Sequence, residues 1–314
     1  MLKLIGQRLL AMLPLLLIVS ILTFSFTALL PSDPVDLIIG DRGSDEQYEM
    51  VRERLGLNQP FVARYLQWLG HAVRGDLGTS FFNSVRVTDA VLLRMPATLS
   101  LTFASVLISV VVGLGAGIAA ALRPRSWIDR LATFGATIGQ AIPNFWFGLI
   151  LASIFAVSLR WFPATGYVPL QASPVEWLRS ITLPALALGL STSAAIARQV
   201  RSAMVGVLQQ DYIRAARAQG LSARRVILKH ALKNALVPVI TVLSFQVTIL
   251  LGGALIVEQV FAINGIGSLA IAAVRQQDIP MIQGIVLVLV LIVMAVQLVT
   301  DILYGLINPK ARPS

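Results

Sequence analysis

Acid–base, metal or nucleophilic catalysis needs its groups gathered in one place, and this chain does not gather them. Its two histidines, His71 and His230, lie in well-separated segments. It has no cysteine, which removes thiolate ligands, disulfides and a cysteine nucleophile. No Gly-Lys dipeptide occurs, so the phosphate-cradling G-x-x-x-x-G-K-[ST] loop is absent and this chain is not expected to bind and hydrolyse ATP by itself. The one dense concentration of functional groups is Asp211-Tyr-Ile-Arg-Ala-Ala-Arg-Ala-Gln-Gly220-Leu-Ser-Ala-Arg-Arg-Val-Ile-Leu-Lys-His230-Ala-Leu-Lys-Asn234, a basic, helix-forming stretch between two long apolar runs. Asp211 is placed to cap a short helix, and Ala215, Ala216 and Ala218 keep part of it slim. Gly220 is placed to end that helix in a left-handed turn, and Ser222 to cap the next. Two short helices with a bend between them make a compact knob. The chemistry is docking.

The surrounding elements must hold that knob at a membrane surface. Of 314 residues, 56% are hydrophobic and 13% charged, with a mean hydropathy of +0.80. A soluble chain of this length carries about 25% charged residues, so this composition reads as a polytopic membrane protein. Six segments are long enough to span the bilayer, which takes about 20 residues. They lie near 9–30, 98–121, 134–158, 181–200, 235–257 and 284–306. The fourth is the weakest, because Leu183-Pro184 interrupts its start and Gly189 its middle; Pro184 is read as a first-turn proline. The first resembles a signal peptide but is too long and lacks a small-x-small cleavage site, so it reads as a retained span.

Charge gives an orientation. With the N-terminus inside, the cytoplasmic parts hold 15 of the 25 basic residues and only Asp129, Asp211 and Asp301 among the acids. The short loops, to which the positive-inside rule applies, agree on both termini in the cytoplasm. The formal net charge of +10 therefore belongs to the cytoplasmic face and to anionic lipid, and implies no nucleic-acid partner. In this topology His71 and His230 fall on opposite sides and share no site. The expected division is an N-terminal transmembrane helix over 1–30, an extracytoplasmic helical segment over 31–97, and a five-helix core over 98–314 with its cytoplasmic loop at 201–234.

Within 31–97, residues 44–55 are charged and helix-prone, ending at Gly56. Phe61, Val62, Tyr65, Leu66, Leu69 and Val73 then recur at helical spacing, with Trp68 flanking that apolar face. A further amphipathic stretch near 84–94 leads into the second span. Trp161, Tyr167 and Trp177 read as interfacial anchors. Glu258 and Asp301 lie near span ends, where water is within reach. The polar groups left inside the spans are amides and hydroxyls: Gln140, Asn144, Thr241, Gln246, Thr248 and Gln297, suited to bonding neighbouring helices. Gly113, Gly115, Gly117, Gly252 and Gly253 are expected to let helices approach closely.

The Asp211–Asn234 stretch resembles the cytoplasmic EAA loop of ATP-binding-cassette (ABC) importer permeases, with Arg214-Ala215-Ala216 at the Glu-Ala-Ala positions and Gly220 at the expected spacing. Leu30-Pro-Ser-Asp-Pro34, Leu55-Gly-Leu57, Gly75-Asp-Leu-Gly78, Met95-Pro-Ala-Thr98, Ile142-Pro-Asn-Phe145, Leu183-Pro184 and Asn308-Pro309 are similar, in order, to landmarks of the dipeptide/oligopeptide permease branch. The resemblance implies an all-α type I importer permease of six transmembrane helices with short outer amphipathic helices, most similar to the first permease subunit of such systems. It implies a sister permease, two ABC ATPase subunits and an extracytoplasmic solute-binding protein as partners, and no cofactor. It also implies that Asp211, Arg214, Ala215, Ala216 and Gly220 couple ATPase closure to the spans. Relatives carry dipeptides, longer peptides, glutathione, nickel complexes, opines or sugars. Three outer motifs depart from the pattern: Pro31-Ser32-Asp33-Pro34, Ile263-Asn264-Gly265-Ile266-Gly267 followed by Ser268, and Gln277-Asp278-Ile279-Pro280. The competing readings are a stand-alone secondary transporter or channel and an intramembrane enzyme. The first needs an ionisable residue at membrane depth or paired broken helices in two related halves. The second needs a catalytic cluster. Neither feature is legible.

Overall fold

A computed structural model describes residues 2–29, 44–54 and 56–307, together with Val35 and Ile39. The landmarks at 30–34, Leu55 and Asn308-Pro309 lie outside the described residues. Eleven helices are found among the described residues, with no strand beyond one isolated Thr79–Arg86 bridge. They are α1 Leu2–Leu29, α2 Asp45–Arg54, α3 Phe61–Val73, α4 Val87–Leu122, α5 Trp127–Ala141 and α6 Asn144–Ser158. There follow α7 Pro174–Leu208, α8 Asp211–Ala218, α9 Ala223–Val260, α10 Ile266–Arg275 and α11 Ile279–Ile307.

Five helices are long and apolar enough to cross a membrane: α1, α4, α7, α9 and α11. The expected third span is instead a broken pair, α5 and α6, bent by 103°. The break has a local cause at Ile142-Pro143. Proline disfavours a helical conformation in the residue before it, and Ile142 is extended at φ −86°, ψ 124°. Pro143, at φ −60°, ψ 135°, then opens α6 from the N-cap position, where its missing N–H is harmless. Counting the pair as one span restores six.

The expected fourth span starts earlier than its hydropathy suggests. Ser173 accepts a hydrogen bond from the Glu176 backbone N–H and Pro174 occupies the first turn, a strong helix start that carries α7 on to Leu208. Pro184 is therefore in the helix interior, not its first turn. The amphipathic 84–94 stretch merges into α4, and the second half of the basic stretch is no short helix but the beginning of α9.

The described residues group into two compact units. One comprises residues of 1–5, 97–264 and 295–314, the other residues of 6–96 and 265–294. In the first, α7 is the packing centre: 72% of its apolar window is buried, against 17–39% for the other spans. Its small side chains, among them Ala185, Ala187, Gly189, Ala194 and Ala197, let neighbours approach to backbone distance. A Cβ at Gly189 would lie 2.8 Å from the Ser105 carbonyl oxygen, and one at Gly113 would lie 2.7 Å from Ile196. Gly117 and Gly253 are likewise at close contacts, whereas Gly115 and Gly252 face open space and do not serve close packing.

Several polar residues lie where linear reading did not place them. Glu258 is fully buried, not in reach of water, and accepts a hydrogen bond from the Thr98 hydroxyl at 2.6 Å. Tyr167 is half-buried against the apolar core, with its hydroxyl 3.1 Å from that of Ser100. Gln297 accepts from Ser244 at 2.8 Å, the helix-to-helix bond expected of it, while Gln140, Thr241 and Thr248 are exposed. In the second unit Tyr65 and Trp68 of α3 pack their rings on Phe24 of α1, and the Tyr65 hydroxyl lies 2.8 Å from that of Ser20. The face of α3 that is used is thus Phe61, Arg64, Tyr65 and Trp68. Val62, Leu66 and Val73 are exposed.

Candidate coupling surface

The knob is built by one turn motif and one apolar anchor. Gly220 has φ +78°, the left-handed conformation expected of it. The Leu221 N–H donates to the Ala216 carbonyl at 3.3 Å and the Gly220 N–H to that of Arg217 at 3.0 Å. This pair of bonds is a Schellman motif, which satisfies the last carbonyls of α8 and turns the chain sharply. At the other end, Gln210 holds the N-cap position rather than Asp211. Asp211 occupies the first turn, where its negative charge suits the helix dipole, and pairs with Arg214 at 3.3 Å. Ser222 does precede the next helix, but its hydroxyl makes no cap bond.

The helix α8 has two faces with different partners. Ile213 and Ala216, three apart on one side, are buried with Val200, Met204, Val226 and Ala231 in the same unit's apolar cluster. Tyr212 is tied to α9 through a 2.8 Å bond from the Asn234 amide to its hydroxyl. The opposite side presents Asp211, Arg214, Ala215 and Ala218 to the outside. Of the five candidate coupling residues, four are therefore exposed and Ala216 is an internal anchor. Reading the stretch at helical period from Ile213 would have revealed that anchor. Arg217, Arg224, Arg225, Lys229 and Lys233 are also exposed, which makes the surface around α8 strongly basic.

A second polar element stiffens the same unit. Asp129, buried at the start of α5, receives both the Nε and a terminal nitrogen of Arg201 from α7, the latter at 2.7 Å. It also accepts from the Arg125 backbone N–H at 2.8 Å. Such a bidentate pair fixes the angle between two helices as well as their distance. Sequence reading counted Asp129 only as a cytoplasmic acid; its partner lies 72 residues away.

In the second unit, Asp278 of the altered Gln277-Asp278-Ile279-Pro280 motif is buried and accepts from the Ser80 hydroxyl and the Phe81 N–H. Ser80 in turn accepts from the N–H groups of Phe82 and Asn83, both at 3.2 Å. The aspartate therefore organises the 80–84 turn. Among the described residues no group of histidine and acidic side chains is placed to hold a metal ion.

Comparison with known proteins reaches 99% of this chain in sequence and 69% of it in structure. Residues 113–313 match the family described as binding-protein-dependent transport system inner membrane component, and residues 1–102 match its N-terminal companion. A putative peptide transport system permease of Brucella abortus (strain 2308) is 42% identical over 312 residues, covering 99% of both chains. A di/tripeptide transport system permease of Pseudomonas aeruginosa and a glutathione transport system permease of Escherichia coli are each 40% identical, again over 99% of both chains. Among solved structures, a chain of the inward-facing methionine ABC transporter MetNI shares the fold with a TM-score of 0.55 at 21% identity, covering 69% of this chain and 96% of that one. The protein thus belongs to the inner membrane component family of binding-protein-dependent transport systems, the non-catalytic permease subunits of ABC importers.

Proposed function

We propose that this permease forms half of a translocation path for a peptide-like solute, and that ATPase subunits act on it through α8. The observation that carries the coupling role is the division of α8 into a face bonded to its own bundle and a face left bare beside a rigid turn. Asp211, Arg214, Ala215 and Gly220 meet the ATPase, and Ala216 holds the helix against the spans so that force is transmitted. ATP closure of two ATPases favours one state of the paired permeases only if the attachment differs in energy between states, which a rigidly anchored knob permits. The peptide class follows from the relatives' names, and a sister permease and an extracytoplasmic solute-binding protein complete the assembly.

Ala215→Trp tests the docking face. The side chain is exposed, so the variant should insert and melt like the parent, while the co-expressed ATPase subunits should fail to co-purify with it. Normal co-purification would remove α8 from the ATPase interface. Ala216→Trp, by contrast, strikes the buried anchor and should lower the melting temperature of the permease itself.

The topology we propose for this permease in the bacterial cytoplasmic membrane places both termini and 201–234 in the cytoplasm, with 1–30 as the first span, 31–97 outside and 98–314 as the core. Basic residues in the short loops support it. Because the chain has no cysteine, Ser44→Cys and Ser222→Cys give a clean assay, both positions being exposed. An impermeant thiol reagent added outside intact cells should label the first and spare the second. The reverse order, or equal labelling, overturns the orientation.

A further inference from the structure

The helix α5 is fastened unevenly to the rest of its unit. A cleft of about 350 Å³ lies between it and α4 and α7, and on the α5 side Ala132, Gly135, Ala136 and Gly139 line it beside Ile138. The bulky Leu131 and Phe134 of α5 are exposed. Small side chains bury little apolar area, so packing alone holds α5 weakly across that cleft. Towards the Ile142-Pro143 break the helices meet, and a Cβ on Gly139 would lie 3.6 Å from that of Ala194 on α7. At the opposite end the fastening is the ion pair of Asp129 with Arg201. Asp129 is 4% exposed, and both its oxygens are taken by the Arg201 guanidinium. The same carboxylate accepts the Arg125 N–H at 2.8 Å, in a loop where Arg125 stands at φ +65°.

Arg201 stands on the part of α7 that also carries α8. Val200 and Met204, on either side of it in sequence, are fully buried in one cluster with Ile213 and Ala216 of α8. The chain enters α8 after only Gln209 and Gln210. The last turns of α7 therefore hold α8 by apolar contact and α5 by a bidentate pair. A buried pair adds little stability over apolar side chains of the same volume, but its two bonds impose one geometry. A displacement of α8 carries Arg201 with it. At its far end α5 is interrupted by the extended Ile142, a change of backbone conformation of the kind that serves as a hinge. We propose that the pair of Asp129 and Arg201 is the positioning tie that makes α5 follow α7 when ATPase closure moves α8, with the Ile142-Pro143 break as its pivot. The proposal rests on α8 as the helix that meets the ATPase.

The test uses the assembled importer with its ATPase subunits and binding protein. Asp129→Asn combined with Arg201→Met removes the tie, keeps an acceptor for the Arg125 N–H and leaves no buried charge. It should melt close to the parent, whereas Arg201→Met alone strands the carboxylate and should melt lower. In the double variant the ATPase subunits should co-purify and hydrolyse ATP at the basal rate. Transport and its stimulation by loaded binding protein should fall at least tenfold, a loss that a merely structural contact would not give once stability is restored. Gly135→Cys reports on the cleft directly, because the position is exposed, an added Cβ meets no atom within 4 Å, and the chain has no other cysteine. Its reactivity with maleimide, read on the permease band, should be equal in the nucleotide-free and ATP-trapped parent, since α5 travels with α7. In the double variant, trapping should raise it at least threefold. A double variant that transports at the parent's rate, or whose cleft is no more reactive when trapped, overturns the proposal, as does a parent whose reactivity shifts on trapping. Gly220→Val assayed alongside separates the two readings: if it uncouples while the double variant does not, α8 keeps its role and only the tie is lost.

Discussion

Gly220→Val is expected to reduce transport below a tenth of the parent's rate while leaving the permease inserted and folded. The glycine sits at φ +78°, and a Cβ added there would meet no atom within 4 Å. Any damage is therefore conformational and not a clash. A left-handed conformation costs an ordinary residue about 1–2 kcal/mol, and more for a β-branched one. That is too little to unfold a 314-residue chain and enough to undo one turn. Losing the Schellman bonds from Leu221 and Gly220 would release the end of α8 from the start of α9, and the knob would no longer be rigid. In the reconstituted complex, ATPase activity should persist or fall and should no longer rise with loaded binding protein. Gly220→Asn serves as the control, because asparagine tolerates the left-handed region, and it should retain most of the transport. If Gly220→Val transports at the parent's rate with stimulation intact, α8 is not the coupling element.

The second large effect is expected near the C-terminal end of α4. At Gly117 a Cβ would lie 2.6 Å from the Ala197 carbonyl oxygen and 2.6 Å from Val200 Cβ, both on α7. The nearest obstacle is backbone, which cannot rotate away. Gly117→Ala should therefore force two helices apart at a cost of about 1–3 kcal/mol, in spite of alanine's better helix propensity. Gly115→Ala, two residues earlier in the same helix, meets nothing within 4 Å. It should be neutral or slightly stabilising. Melting temperatures of the two purified variants check this directly: the Gly117 change should lower the transition by several degrees and the Gly115 change should not. Equal transitions would mean that α4 and α7 are not in backbone contact there.

The contrast between these two glycines shows where reading from sequence stops. Much of what depends on a residue and its near neighbours was legible, although Gln210 and not Asp211 caps α8 and Ser222 makes no cap bond. Apolar runs announced the long helices, because about 20 residues of low polarity have no other stable location. Gly220 announced its turn, because only glycine takes a positive φ without cost. The Ser173-Pro174 start of α7 and the break at Ile142-Pro143 were equally local signals, passed over in favour of hydropathy, which averages across a proline and so hides it.

Tertiary structure alone decided what each side of a helix faces. Gly115 and Gly117 have the same composition around them, yet only one lies against α7. Glu258 stands near the end of an apolar run, a position that suggests water, and is sealed by a helix bearing Thr98, 160 residues earlier. Asp129 needed Arg201, and Asp278 needed Ser80, before either became more than a charge to count. In α8 the sequence supplied the helix and its turn, while the bundle determined that Ala216 turns inward and Ala215 outward. The reason is physical: backbone conformation and transfer from water are set by a few adjacent residues, whereas burial is a relation between segments brought together only when the chain has folded.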